Sequence, residues 1–397
     1  MRIALIADAY PPMRTSGAVQ IRDLAREFAL QGHDVTVIVP SIGRTTPWTI
    51  ETTGGVQVLR LAALSTKDTG YLRRTISEML LPFTMWLGIR RSPLRSVRWD
   101  ATVWYSPSIF LGLLVGALKR SSNCRSYLVL RDIFPEWAVD MRILRKGLVY
   151  RFFKLVERYQ YSVADIIGVQ SSSNLAYLVG WENKPRRRLE VLHNWLAEAP
   201  SAGCRIAIVN TPLKGRNIFV YAGNMGVAQG MDMILDLAER LKRRPDIGFM
   251  FVGRGSEVPR LKALAGSRAL DNVAFHDEID PNEIPGLLAQ CHVGIVALDP
   301  RHKTHNVPGK FLTYMQAGLP VLARINAGND LAELIEKEGV GRVHIGDSVV
   351  SLQALAEELC KNKEGRELMS SRARTLARTS FSVTAAVSQI VTALSET

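Results

Sequence analysis

Lys310 is the residue whose position most directly suggests chemistry, because it stands where a helix is predicted to begin. The stretch from His305 to Leu334 reads as loop, helix, buried strand, loop and helix, and its first carboxylate is Asp330. A lysine in a first helical turn opposes the helix dipole, whereas an anion is favoured there. We expect Asn306, the helix start near Gly309 and Lys310 to bind an anionic ligand. A solvated surface lysine is the alternative.

Four more loops follow predicted strands and precede predicted helices, where backbone N–H groups lack helical partners. They are residues 8–18 with Gly17, 131–137 with Asp132, 222–232 with glycines at 223, 226 and 230, and 252–257 with Arg254. Glycine allows the backbone to turn tightly and to approach a ligand closely. Ordinary turns, helix caps and solvated side chains are the alternatives for these loops. The glycine loop matches neither GxGxxG nor a P-loop.

Other catalytic arrangements find little support in the residue spacing. The four cysteines are far apart, no CxxC is present, and His302 and His305 have no acidic companions. We therefore expect no metal site, and the cysteine usage fits a reducing compartment. A nicotinamide oxidoreductase would carry GxGxxG after its first strand. Here that strand leads into DAYPPMRTSG, which does not fit.

Composition indicates a folded, basic protein of two or three domains. The chain has 397 residues, 47% of them hydrophobic and 22% charged, and no apolar run reaches the roughly 18 residues that span a bilayer. The net charge of +13 is concentrated in residues 1–198. This basic half predicts an anionic partner, which could be a membrane surface, a nucleic acid or a phosphorylated substrate.

Short apolar strands alternate with helical patterns, and the series restarts near residue 217. Strands are predicted near residues 2–7, 34–39, 56–61, 101–105, 126–130, 165–169, 189–192, 218–222, 247–252, 273–275, 293–298, 320–323 and 342–345. This alternation predicts an α/β protein with two doubly wound, Rossmann-like domains built on parallel sheets. We predict an N-terminal domain at 1–198, a linker at 199–217, a C-terminal domain at 218–379 and a C-terminal helix at 380–397, with helix over about 366–397.

Residues 71–98 combine basic and apolar character. Six arginines accompany a single acid in this segment. Its apolar residues include Leu80, Leu81, Phe83, Met85, Trp86 and Leu87. Such a segment suits the surface of an anionic membrane. A helix packed on the sheet with solvated arginines is the alternative.

The ordered motifs resemble the family-4 glycosyltransferases of the GT-B fold, which build bacterial polysaccharides and lipopolysaccharide O-antigen. The resemblance is closest to amino-sugar transferases such as the N-acetyl-L-fucosaminyl transferases. It rests on YPPMRTSGAVQIRDLAREFALQGHDVTVIVP, RDIFPEWAV, VLHNW, FVYAGNMGVAQGMDMIL, FMFVGRGSE, NVAFHDEI and VPGKFLTYMQAGLPVLA, which cover nearly the whole chain. It implies a GT-B fold whose two domains face a central cleft, with C-terminal helices crossing back to the first domain.

The resemblance also implies where a nucleotide-sugar donor, here expected to be UDP-linked, and an acceptor would bind. The donor diphosphate would lie against the 222–230 loop and Lys310, and the base near Glu278 and Ile279. The acceptor would lie near the 8–18 loop and Asp132. Catalytic roles are expected for Lys310, Asn224 and Asp132. Donor contacts are expected from Gly17, Gly223, Met225, Gln229, Arg254, Glu278, Ile279, His305, Asn306, Gly309 and Thr313.

The family retains the anomeric configuration and uses no metal or cofactor. One of the donor's phosphate oxygens helps to deprotonate the acceptor, while the protein stabilises the departing diphosphate. The residues agree with this outline, since fixed N–H donors and a cation suit a leaving diphosphate. A retaining mechanism through an enzyme nucleophile would require two well-placed carboxylates.

Four positions depart from the family pattern. Two glutamates that are common in the opening stretch are His305 and Thr313 here, and the second glutamate usually binds the ribose. The phosphate lysine of the first glycine loop is Gln229. A histidine that is common before Asp132 is Arg131. We expect Lys310 to take more of the phosphate contact. The ribose contact is either lost or made more weakly by Thr313.

The resemblance further implies a lipid-linked saccharide acceptor and a cytoplasmic enzyme bound peripherally to the inner face of the cytoplasmic membrane, through about residues 71–98. A nucleotide-sugar epimerase of the same fold is the alternative enzyme. A nucleic-acid-binding protein is suggested only by the pI of about 9.8. It would carry aromatic residues interleaved on a basic surface, which are missing here, so no nucleic-acid partner is expected.

Overall fold

The computed structural model describes residues 1–13, 15–43, 46–64, 71–140, 142–198, 203–299 and 307–396. The chain forms two compact units. The first unit contains Met1–Trp195 and Val383–Thr397, and the second contains Leu196–Ser382. Each unit is an α/β domain built on its own sheet, so the predicted fold class of two Rossmann-like domains is confirmed.

Eight strands form the sheet of the first unit. They are β1 (Arg2–Ile6), β2 (Asp34–Ile42), β3 (Trp48–Thr53), β4 (Val56–Ala63), β5 (Ala101–Ser106), β6 (Arg125–Leu130), β7 (Ile166–Val169) and β8 (Arg188–Val191). Their order is β3-β4-β2-β1-β5-β6-β7-β8. All pairs are parallel except β3 with β4. The central strands β1, β5 and β6 are almost wholly buried, as expected for a parallel sheet with helices on both faces.

In the described residues of the first unit, five α-helices precede the last strand. They are α1 (Ser16–Leu30), α2 (Tyr71–Arg91), α3 (Gly112–Ser122), α4 (Glu136–Asp140) and α5 (Leu148–Val163). One buried cluster joins Leu81 and Met85 of α2, Leu114 of α3 and Tyr161 of α5 to the sheet. Both α2 and α5 contact α3. Helices α2, α3 and α5 therefore form one layer on one face of the sheet.

The second unit contains a six-stranded parallel sheet. Its strands are β9 (Asn217–Ala222), β10 (Ile247–Val252), β11 (Val273–His276), β12 (Val293–Ala297), β13 (Val321–Ile325) and β14 (Gly341–Ile345). Their order is β11-β10-β9-β12-β13-β14. The order reverses at β9, and ligands of such sheets bind at the carboxyl ends of the strands beside that reversal.

The remaining helices are α6 (Asp232–Arg240), α7 (Val258–Ser267), α8 (Ile284–Leu288), α9 (Gly309–Ala317), α10 (Asp330–Glu338), α11 (Val349–Lys361), α12 (Lys363–Ser380) and α13 (Val383–Ser395). The ends of two of them follow local chemistry. Helix α10 begins where the Asn329 side chain accepts from the Leu331 N–H, and α9 follows Pro308. Gly318 and Gly339 end these helices with φ values of +71° and +59°, which glycine adopts without strain.

Every strand that the sequence predicts is present, but β3 was not predicted. It is an antiparallel edge strand with the burial pattern of a half-exposed ribbon. An edge strand needs only a few partly buried side chains, so its sequence WTIETT carries little hydrophobic signal.

Two predicted boundaries also differ from the structure. Much of the proposed linker at 199–217 belongs to the second unit, because Ile206, Ile208 and Leu213 are buried in its core. The helix predicted over about 366–397 is two helices. They are separated at Phe381, which is itself buried, and only α13 is part of the first unit.

Candidate active site

A cavity of about 430 Å³ lies in the second unit, where β9, β10 and β11 end and α9 begins. It is lined by Ala222, Gly223, Asn224, Val252, Gly253, Arg254, Glu278, Ile279, Pro281, Ile284, Lys310, Thr313 and Tyr314. Seven predicted site residues are therefore brought to one cavity: Gly223, Asn224, Arg254, Glu278, Ile279, Lys310 and Thr313.

The two glycine-bearing loops that border the cavity are held together by their backbones. The Gly223 N–H donates to the Val252 carbonyl at 2.9 Å, and the Met225 N–H donates to the Arg254 carbonyl at 2.7 Å. A Cβ on Gly253, whose φ is +145°, would overlap the Gly223 carbonyl. Glycine is required there because only a residue without a side chain permits this approach and this φ. The loops form a fixed rim for the cavity.

Lys310 crosses the end of β9. Its Nζ donates to the Tyr221 Oη at 2.8 Å and lies 4.3 Å from the centroid of the Tyr221 ring. The Tyr221 Oη in turn donates to the Asn224 carbonyl at 2.6 Å. A chain of two hydrogen bonds thus connects the ammonium group to the glycine loop and fixes its position.

The Lys310 ammonium has no carboxylate partner among the residues that the structure describes. Among the ion pairs of the described residues, none includes Lys310. Burial of the side chain without a counter-charge lowers the pKa of Lys310 to about 8. Glu278 is the one acid among the described lining residues, and it pairs with Arg254 at 3.4 Å on the exposed rim. The cavity therefore presents a positive group that an external anion could neutralise.

The first turn of α9 adds hydrogen-bond donors. The N–H groups of Gly309 and Lys310 have no acceptor within the helix, because the first N–H groups of any helix lack one. They also lie at the positive end of the helix dipole. Gly309 is exposed and is not among the lining residues of the cavity, although it begins the helix that carries Lys310.

Two predicted donor ligands prove to be parts of the loop's own framework. Met225 is fully buried in the core of the second unit, so only its backbone is placed to make the predicted donor contact. Gln229 is not a lining residue, and its side-chain oxygen accepts from the Gly226 N–H at 2.9 Å and from the Asn224 Nδ2 at 3.3 Å. Where the family has a phosphate lysine, this chain uses a glutamine to close the loop.

In the region predicted to hold the nucleotide base, several polar groups already have hydrogen-bond partners within the protein. The Glu278 carbonyl accepts from Arg205 at 2.8 Å, and Ile279 is buried. Thr313 lies one turn after Gly309 and donates its hydroxyl to the Gly309 carbonyl at 3.2 Å. Its oxygen lone pairs can still accept a hydrogen bond. His305 and Asn306 lie outside the described residues.

Gly17 and Asp132 belong to the first unit. Gly17 lies at the start of α1 against the Tyr105 ring. Asp132 follows β6; burial raises its pKa, and the positive charge of Arg131 opposes that rise. Arg131 itself donates to the carbonyls of Leu192 at 2.6 Å and His193 at 3.2 Å, so it ties two strand ends together.

Two tyrosines of the site were not predicted. Tyr221 holds Lys310, and Tyr314 donates to the Val220 carbonyl and accepts from the Ala222 N–H. Tyr221 directly precedes the glycine loop, and this adjacency is the one sequence signal that could have identified it. The helical spacing of Tyr314 from Lys310 carries no comparable signal, because it fits a core residue equally well.

The described residues contain neither a metal-binding cluster nor a membrane-spanning helix. No group of three His, Cys, Asp or Glu side chains in them could hold a metal ion. No helix in the part of the chain that the structure describes is both long and apolar enough to cross a membrane.

Comparison with known proteins identifies both halves of the chain. Residues 16–195 match the family described as glycosyl transferase 4-like domain, and residues 216–362 match glycosyl transferases group 1. The probable glycosyltransferase WbjE of Pseudomonas aeruginosa is 27% identical over 272 residues, covering 67% of this chain and 68% of WbjE. The putative colanic acid biosynthesis glycosyl transferase WcaI of Escherichia coli (strain K12) is 21% identical over 365 residues, covering 85% and 86%.

The fold has solved counterparts. The crystal structure of HepE from Anabaena in complex with UDP superposes with a TM-score of 0.64 at 13% identity and covers 100% of both chains. At that identity the likeness concerns the fold alone. The two matched domains together span most of the sequence, and the names of both relatives describe glycosyltransferases. The chain therefore belongs to the glycosyltransferases of the GT-B fold, with a 4-like domain followed by a group 1 domain.

Proposed function

We propose that this enzyme transfers an amino sugar or deoxy sugar, with retention, from a UDP-linked donor to a lipid-linked or lipopolysaccharide saccharide acceptor in surface polysaccharide synthesis. The proposal rests on Lys310, which lies in a cavity at a helix N-terminus and forms no ion pair among the described residues. The name of WcaI refers to colanic acid biosynthesis, and HepE binds UDP. Both support the proposed class of donor and product.

Lys310 and the α9 amides would stabilise the leaving group. During transfer the bond between the anomeric carbon and the β-phosphate oxygen breaks, and negative charge grows on the diphosphate. A cation and N–H groups that are already fixed need little reorganisation to stabilise that charge. The Lys310–Tyr221–Asn224 chain of hydrogen bonds supplies this fixed position.

The described residues that line the cavity include no pair of carboxylates for a covalent retaining mechanism. Such pairs stand about 5 Å apart in retaining glycosidases. Glu278 is the one acid among the described lining residues, and Arg254 already pairs with it. In the proposed reaction the acceptor hydroxyl attacks from the face that the diphosphate leaves, and a donor phosphate oxygen takes its proton.

The proposed membrane contact lies on α2, within residues 71–98. Ile76, Met79, Leu80, Phe83 and Leu87 are exposed on this helix, followed by exposed Arg90 and Arg91. By contrast, Leu81 and Met85 are buried against the sheet, and Trp86 packs partly on the same core. Of these described side chains, only the first set is exposed enough to reach a bilayer. We place the enzyme peripherally on the cytoplasmic face of the inner membrane.

A thermal-shift panel of nucleotides and nucleotide sugars tests the proposal. We expect UDP and UDP-sugars to raise the melting temperature more than UMP or uridine, because Lys310 contacts the diphosphate. A panel without any diphosphate-dependent shift would contradict it. An epimerase of the same fold would convert the donor without any acceptor, whereas the transferase should consume it in quantity only when a saccharide acceptor is present.

A further inference from the structure

A second apolar surface of the first unit lies on α5, outside residues 71–98. Leu148 is 82% exposed, Leu155 68%, and Phe152 and Tyr159 37% each. Their spacing of four, three and four residues places them along one face of the helix. We call these four residues the α5 ridge. Ile143 and Trp137, which precede the helix, are also exposed.

Basic side chains accompany the ridge. Arg142, Arg145, Lys146 and Arg151 are exposed, and residues 142–156 contain no acid. Lys154 is the exception among the basic residues of this segment, because Glu136 and Glu157 neutralise it at 2.8 and 2.6 Å. The surface is thus apolar along its centre and positively charged beside it.

The opposite side of α5 is well packed, so the ridge is not a core face that has come loose. Tyr161 and Val163 are buried in the cluster beneath the helix. The Phe153 ring packs edge-on against Phe134, with centroids 5.0 Å apart, and against Phe110 at 6.5 Å. The helix therefore presents its ridge outward from a fixed position.

The α5 ridge and the exposed stripe of α2 belong to the same layer of helices, since both helices contact α3 on one face of the sheet. We propose that the α5 ridge docks on an anionic bilayer, as a second contact beside α2. Leucine and aromatic side chains enter the boundary between headgroups and acyl chains, while arginine and lysine side chains contact lipid phosphates. The inference rests on the proposed lipid-linked acceptor and does not depend on the nucleotide site.

The charge distribution favours a bilayer over a second copy of this chain. If two α5 ridges met face to face, the four basic side chains of each copy would approach those of the other without intervening acids. Like charges brought together in this way oppose association. Anionic lipid headgroups neutralise the same charges.

The test compares vesicle binding of the full chain with that of matched variants. Leu148→Glu/Leu155→Glu should lower partitioning into phosphatidylcholine–phosphatidylglycerol vesicles by about tenfold or more. Leu30→Glu is the control, because Leu30 is 81% exposed on α1, which contributes no residue to the cluster beneath the α2–α3–α5 layer. It should bind vesicles as the parent does. Equal binding of the double variant and the parent would overturn the proposal.

A second variant tests the electrostatic part. Arg145→Glu/Lys146→Glu should weaken binding to vesicles that contain phosphatidylglycerol and leave the weak binding to pure phosphatidylcholine unchanged. A parent protein that does not sediment with anionic vesicles overturns the inference. A parent dimer that Leu148→Glu/Leu155→Glu dissociates also overturns it, in favour of a second copy. The UDP thermal shift of each variant separates these failures from a failure of the proposed function, because nucleotide binding requires no lipid.

Discussion

Two partly buried lysines of this protein, Lys154 in the first unit and Lys310 in the second, have opposite surroundings. Lys154 pairs with Glu136 and Glu157. Lys310 contacts the hydroxyl and the ring of Tyr221. No carboxylate of the described residues forms an ion pair with it. Burial alone would lower the pKa of Lys154, but hydrogen bonds to the two glutamates and their charges outweigh it and raise that pKa. Burial without such partners lowers the pKa of Lys310.

Their surroundings distinguish a lysine that stabilises the fold from one that can bind a ligand. When carboxylates of the protein pair with a lysine, its charge stabilises the fold and is not available to a ligand. A lysine whose charge the fold leaves unneutralised lowers stability slightly, and it gains a counter-charge only when a ligand arrives. We therefore expect substitutions of the two lysines to affect different properties.

The largest expected effect is on transfer by Lys310→Met. We expect kcat to fall about 100- to 1,000-fold, because one preorganised charge that stabilises the leaving group is lost. Steady-state kinetics with the donor identified by the thermal-shift panel measures this. The variant should melt no lower than the parent at pH 7. Its free energy of unfolding should rise by about 1 kcal/mol, because a partly buried charge is removed. Unchanged turnover would remove Lys310 from the mechanism.

Lys154→Met should have the converse effect. Glu157 is 1% exposed and would lose its counter-charge, so we expect the free energy of unfolding to fall by about 2 to 3 kcal/mol. Urea denaturation measures the loss. The UDP-induced thermal shift should keep its size. If Lys154→Met loses UDP binding while remaining folded, Lys154 and Lys310 do not have separate roles.

The pH dependence of UDP binding should also distinguish Lys310 from Lys154. The pKa of Lys310 is about 8 in the free protein, and a bound diphosphate would raise it. Below pH 8 the ammonium is already charged, so affinity should be nearly constant. As pH rises above 8, binding must take up a proton, and affinity should fall by up to about tenfold per pH unit. Titrations between about pH 7 and 9 measure this, with Lys154→Met following the parent and Lys310→Met staying flat.

The smallest effect is expected from Tyr221→Phe. The phenyl ring keeps its contact with the ammonium, but the hydroxyl that joins Lys310 to the Asn224 carbonyl is lost. We expect about a fivefold loss in kcat, which corresponds to one hydrogen bond of about 1 kcal/mol. Tyr150→Phe is a matched control, since the Tyr150 hydroxyl donates to Glu136 at 3.1 Å in the first unit. If Tyr221→Phe and Tyr150→Phe both keep full activity, Tyr221 does not position Lys310.

Local signals predict a large part of this molecule. The alternation of apolar runs identifies the parallel strands, and Pro308 and Gly318 mark the helix that carries Lys310. The glycine loops are visible in the sequence as well. What makes glycine necessary at 253 is a carbonyl of the neighbouring loop, at Gly223, and that approach is a product of the fold.

The contacts that the sequence did not reveal join residues that are far apart along the chain. Tyr221 and Lys310 are 89 residues apart, and Arg131 reaches carbonyls 61 and 62 residues away. No periodicity encodes such contacts. On α5, both the packed and the exposed sets are apolar, so only the structure distinguishes Tyr161 from Leu155. The burial of the Met225 side chain was also not visible in the sequence, since a loop position does not reveal which way its side chain points.

A calorimetric titration of UDP at pH 8, in two buffers of different ionisation enthalpy, measures whether the donor diphosphate neutralises Lys310. If the fold leaves Lys310 unneutralised for the donor diphosphate, the parent should take up about half a proton per UDP bound, because the lysine is half-protonated near its pKa of about 8. Lys310→Met should bind more weakly with no uptake from this group. Equal affinity and equal proton uptake in the two proteins would contradict the account.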